Sequence, residues 1–151
     1  MLNFMNIRSA VLYAAIGKAS GFRSAVGITT FLVLRFRGTR YERLSIGGSV
    51  VAIGGEFVMD KLPTTPSRLA PPSLTARAAA GGAAAYAIAR AQSEPVAPAI
   101  AIGAASAVAG SYAGHAYRGW ASKRVPALGA ALVEDAVALG MGAAVLGQVA
   151  E

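Results

Sequence analysis

Cysteine is absent from this chain of 151 residues. Disulfides and thiolate metal sites are therefore excluded, and the composition carries no mark of redox compartment. Histidine occurs once, as His115, and one imidazole beside a pair of carboxylates makes too thin a ligand set for metal chemistry. No metal and no cofactor are expected. Charge is scarce too: Asp, Glu, Lys and Arg make up 14% of the residues, where soluble domains carry about 25%. Aromatic residues amount to 7%, so contacts between segments must rest on small side chains.

What is present is apolar. The chain is 55% hydrophobic with 18 glycines, and its mean hydropathy is +0.52. Five hydrophobic stretches stand out: Ser9–Leu34, Leu44–Met59, Ala76–Ala91, Val96–Tyr117 and Ala127–Ala150. The longer ones reach the roughly 20 residues that a bilayer-spanning helix needs. In lipid a backbone must satisfy its own hydrogen bonds, so each stretch is predicted helical. The expected fold is all-α: one polytopic membrane bundle over 1–151 with about five hydrophobic helices, some short or broken. Lys18 and Arg23 divide the first stretch, and a broken helix is expected there. Pro63, Pro66, Pro71 and Pro72 mark Leu62–Leu74 as an extended, turn-rich loop. Small-residue spacings (Gly47/Gly54, Gly48/Gly55, Gly103/Gly110, Gly110/Gly114) predict close helix contacts.

The net charge of +7 could suit a nucleic-acid phosphate backbone. Much of it, however, lies in the short stretch Arg35–Arg43 between apolar segments, the pattern of a loop facing the cytoplasm or anionic headgroups. Nucleic acid is not an expected partner; membrane lipids are. The N-terminal apolar run meets Lys18 directly and shows no evident cleavage site, so it reads as a retained segment.

Ionisable residues inside apolar stretches are costly in lipid and turn toward partners or watery cavities. Glu134 and Asp135 are adjacent in the last stretch; a helix turns about 100° per residue, so they need partners in two directions. Glu56 and Asp60 are spaced to share one helix face, as are His115 and Arg118. Lys61, Arg68 and Arg77 add cations around the proline-rich loop, the two arginines offering forked donors for carboxylate or phosphate. The candidate charge network is thus Arg23, Glu56, Asp60, Lys61, Arg68, Arg77, His115, Arg118, Glu134 and Asp135. A Gly-x-Arg element precedes the helix with Glu56 and Asp60, and a Gly-His-x-x-Arg element precedes the helix with Glu134 and Asp135. That order suggests half-repeats over 9–68 and 96–150, related by inversion across the membrane.

Gly21-Phe22-Arg23-Ser24-Ala25, Glu56-x-x-x-Asp60-Lys61-x-Pro63, Pro66-x-Arg68 and Arg77 followed by Gly81-Gly82 resemble a family of small bacterial integral-membrane proteins classed only as a domain of unknown function. Gly114-His115-x-x-Arg118 and Glu134-Asp135 resemble its C-terminal half, so the likeness runs from about Ala14 to Gly147. The resemblance implies a helical protein of the bacterial inner membrane with these polar positions, and no activity, substrate or cofactor.

The leading expectation is a small transporter or channel-like permeation protein for an anionic or zwitterionic solute or protons. Arg23, Arg68 and Arg118 would engage the solute while the carboxylates balance charge or relay protons, in a homo-oligomer joined through glycine-rich faces. The alternatives are a structural or partner-binding membrane subunit with purely structural ion pairs, and an enzyme working on lipid headgroups at the Asp60–Arg68 loop.

Overall fold

A computed structural model describes residues 6–59 and 69–150. Among these residues the chain forms six helices and no strand: α1 (Ile7–Phe22), α2 (Ser24–Phe36), α3 (Glu42–Met59), α4 (Pro71–Ala91), α5 (Val96–Ala121) and α6 (Ala127–Ala150). The five hydrophobic stretches account for all six, because the first is divided at Arg23. One expectation is corrected at the proline-rich connector. Pro71 and Pro72 do not extend the loop; they open α4 as its first two residues. Proline fits there because the first amides of a helix have no intrahelical acceptor to lose.

The break at Arg23 does more than kink a helix. Arg23 takes an extended conformation (φ −140°, ψ 114°) and serves as both the C-cap of α1 and the N-cap of α2. Beyond it the chain doubles back. Gly27 of α2 packs on the Ser20 hydroxyl of α1, whereas in a continuous helix those residues would stand about 10 Å apart along the axis. Neighbouring helices agree. Gly17 meets Gly103 and Gly21 meets Ala107, so α1 and α5 run the same way. On α4, by contrast, Gly81 meets Gly17 while Arg77 reaches Gly21, so α1 and α4 run opposite ways. Gly27 meets Ala80, and Leu34 lies by Ala87, so α2 runs with α4. The pair α1–α2 is therefore a helical hairpin with Arg23 at its tip.

That hairpin forms the centre. Its α1 arm packs on α4, α5 and α6, and its α2 arm on α3, α4 and α6. The core around it is built from Tyr13, Ile16, Ala84, Ile88 and Ala138. Glycine allows the close approach: a Cβ at Gly17, Gly21, Gly81, Gly103 or Gly110 would run into the backbone of a neighbouring helix. Gly103 and Gly110 thus pack as expected. The α3 glycines do not. A Cβ at Gly47, Gly54 or Gly55 would meet nothing within 4 Å among the described residues, and one at Gly48 would make only an ordinary contact with Leu32. The reason is position: α3 lies at the edge of the bundle, packed on α2.

Two helices are long and apolar enough to cross a membrane: α5, and Leu128–Val149 within α6. Only 28% and 33% of their most apolar windows are buried, so most of each lies on the outside of the bundle. Leu44, Val50, Val51, Leu132, Val133 and Val137 are likewise exposed.

α1, which carries the Gly21 element, runs with α5, which carries the Gly114 element. α3 runs against α2, since Leu32 lies by Gly48 while Glu56 reaches Ser24, and α2 runs with α6, since Arg23 pairs with Asp135 while Val26 meets Gly142. The half-repeats stay an expectation, because residues 60–68 of the first lie outside the described residues.

Candidate functional site

A single-residue turn between two helices leaves backbone groups exposed at both ends. The last carbonyls of α1 and the first amides of α2 have no intrahelical partner. Here an ion pair from two other helices supplies them. Glu56, near the C-terminal end of α3, accepts from the Ser24 amide (3.0 Å), the Ser24 hydroxyl (2.9 Å) and the Ala25 amide (2.8 Å). Arg77 of α4 donates through Nη1 to the Gly21 carbonyl (3.0 Å) and the Phe22 carbonyl (2.9 Å). The two side chains also meet each other, Arg77 Nη2 to Glu56 Oε1 at 3.5 Å. Each charge sits where the helix dipole favours it, the carboxylate at the N-terminus of α2 and the guanidinium at the C-terminus of α1. Ser111 of α5 adds a hydroxyl donor to the Gly21 carbonyl at 3.3 Å.

The tip's own side chain is held from α6. Arg23, 2% exposed, donates through Nε to Asp135, and that ion pair is buried on both sides. The neighbouring Glu134 turns the other way and accepts from Arg118 Nε of α5 at 2.6 Å. The two adjacent carboxylates thus use two directions, as a rotation of about 100° per residue requires. Breaking such a buried pair by removing one partner costs about 3–5 kcal/mol.

Arg23, Glu56, Arg77, Arg118, Glu134 and Asp135 therefore converge on one region around the hairpin tip, drawn from the break itself and from α3, α4, α5 and α6. Asp60, Lys61 and Arg68 lie outside the described residues, so the Glu56/Asp60 face and the arginine loop stay expectations. His115 stands exposed on α5, apart from these ion pairs; the turn that carries Arg118 toward Glu134 leaves the imidazole outside. Arg77 meets the Glu56 carboxylate and, beyond the expected pairing, also grips backbone carbonyls. Ser24, Ser111 and the Gly21 carbonyl were not foreseen as members. Ser24 follows the break directly, which is the one local sign of its role.

No described metal cluster occurs: no group of three His, Asp or Glu residues is placed to hold an ion among the described residues. Five cavities lie between helices toward the outside of the bundle, and their described linings do not include the ion-paired residues. The chain matches no family model, no curated protein and no solved structure.

Proposed function

We propose that the chain is an integral membrane protein of the small permeation type, carrying an anionic or zwitterionic solute, or protons, past the tip of the α1–α2 hairpin. The observation behind this reading is the break at Arg23, buried in the bundle and closed by charged side chains. Irregular backbone at membrane depth is tolerated where protein buries it or water reaches it, and broken helices are where transporters place polar sites. In this reading α3 to α6 cross the bilayer, while α1 and α2 enter and leave by one face. An arriving carboxylate or phosphate would exchange with Asp135 or Glu134 for Arg23 or Arg118. So small a chain completes its pathway as a homo-oligomer, and α3, with Gly47 and Gly54 open, offers a contact face.

Liposomes containing the purified protein test this reading. Solute or proton flux should appear, and should vanish in Arg23→Ala and in Glu134→Gln proteins that still fold. Flux that persists in both folded variants ends the proposal.

A second reading rests on a specific observation: each described carboxylate of the network is matched by a guanidinium. The ion pairs would then lock a re-entrant hairpin inside a structural membrane subunit. It predicts no flux at all, together with a large loss of thermal stability on neutralising any one member.

A further inference from the structure

Away from the hairpin tip, two cavities meet along α4. One is a recess of about 380 Å³ at the end of the bundle where α2 and α4 finish, lined by Leu34, Arg35, Tyr86 and Arg90. The other is a groove of about 460 Å³ that follows α4 toward its start, walled by Phe31 and Ile100 and floored by Ala79, Gly82 and Ala83. Tyr86 lines both, so the two adjoin at its side chain. The small residues of α4 create the groove, because they leave the space between α2 and α5 unfilled. From Thr75 to Arg90 the distance along α4 is about 22 Å. One leaflet of hydrocarbon is about 15 Å deep, so the groove matches an acyl chain and the recess matches the headgroup layer above it.

The charges fit the same occupant. Arg35 and Arg90 occupy the last turns of α2 and α4, where a cation merely offsets the helix dipole in the ordinary case. Here two guanidiniums from separate helices line one recess, and among the described residues neither is held by a carboxylate. Forked donors of this kind suit a phosphate.

We propose that this recess and groove form a binding site for one anionic phospholipid, its phosphate between Arg35 and Arg90 and an acyl chain lying along α4 over Gly82. The site rests on the membrane reading above and is independent of solute flux. It would attach the hairpin's α2 arm to α4 at the bilayer surface, since the lipid touches both.

The test uses the purified full-length chain in nonionic detergent, titrated with phosphatidylglycerol, phosphatidylcholine and soluble glycerol phosphate while the melting temperature is followed. Each basic residue near a headgroup contributes about 1 kcal/mol, so phosphatidylglycerol should bind about thirtyfold more tightly than phosphatidylcholine. The paired change Arg35→Gln with Arg90→Gln should abolish that preference. Ala79→Phe, at an exposed position in the groove floor, should weaken both lipids. Arg37→Gln, outside the recess, should leave the preference intact. Equal affinity for the two lipids, a preference that survives the paired change, or glycerol phosphate binding as tightly as the lipid would each overturn the site. Alkaline extraction of membranes separates the two readings. A chain released into the aqueous phase ends the membrane reading itself, whereas a retained chain without headgroup preference ends only the lipid site.

Discussion

Gly21 has no room for a single methyl group, because a Cβ there would overlap the Ala107 carbonyl and the Ser111 amide of α5. Overpacking of that kind forces backbones apart at a cost of about 1–3 kcal/mol. Gly21→Ala should therefore lower the unfolding midpoint clearly, and Gly103→Ala should do the same against Gly81 of α4. Gly54→Ala is the matched control, since among the described residues nothing stands within 4 Å of an added Cβ there; its midpoint should hold or rise. Charged residues follow a different rule. Glu56 satisfies two amides and a hydroxyl of the α2 N-terminus, so Glu56→Ala strands those donors and removes the carboxylate that faces Arg77. A loss of about 3–5 kcal/mol is expected, measured by denaturant or detergent unfolding. Lys18 is exposed on α1, and Lys18→Gln should change the same midpoint little. Which carboxylate meets which guanidinium was not legible in the sequence. Arg23 and Asp135 are 112 positions apart, and only the packing of α1 against α6 brings them together.

At the scale of elements, the α1–α2 hairpin makes a distinctive claim about distance. Arg8 and Arg37 would stand about 44 Å apart if the first stretch were one straight helix. In the hairpin both lie at the same end of the bundle. The chain has no native cysteine, so Arg8→Cys with Arg37→Cys gives a clean pair of spin labels. Their separation, measured by pulsed dipolar spectroscopy, should fall far below the straight-helix value. A distance near 44 Å would end the hairpin. Much of the element structure could be read in advance: the apolar stretches fix where helices lie, and Lys18 and Arg23 mark the first as divided. The angle at the break could not be read, because it is set by Glu56 and Arg77, which come from helices distant in sequence. Glycine spacing misled at α3 for a related reason. Gly47 and Gly54 have the same seven-residue spacing as Gly103 and Gly110, but only the latter face a partner helix within this chain.

At the scale of the molecule, helix directions divide the connecting segments between two ends. One end holds the start of α1, the turn between α2 and α3, the turn between α4 and α5, and the end of α6. Ser9 donating to Glu94 at 3.2 Å ties the first of these to the third. Arg8, Arg35, Arg37, Arg40, Arg43 and Arg90 all belong to that end. The turn between α5 and α6 belongs to the other, with Trp120 under Arg124, whose guanidinium carbon lies 4.3 Å from the ring centre. On the membrane reading proposed above, the arginine-rich end would face the cytoplasm, because basic residues concentrate on that side of membrane proteins. Cysteines introduced by Thr39→Cys and Ser93→Cys should then react with a membrane-impermeant maleimide only after cells are opened. Ser122→Cys should react in intact cells, once any outer barrier is removed. If all three label alike, α3 to α6 do not cross the bilayer. If Thr39→Cys and Ser93→Cys label from opposite sides, α4 and the hairpin do not share an end, and the re-entrant arrangement around Arg23 is lost with them.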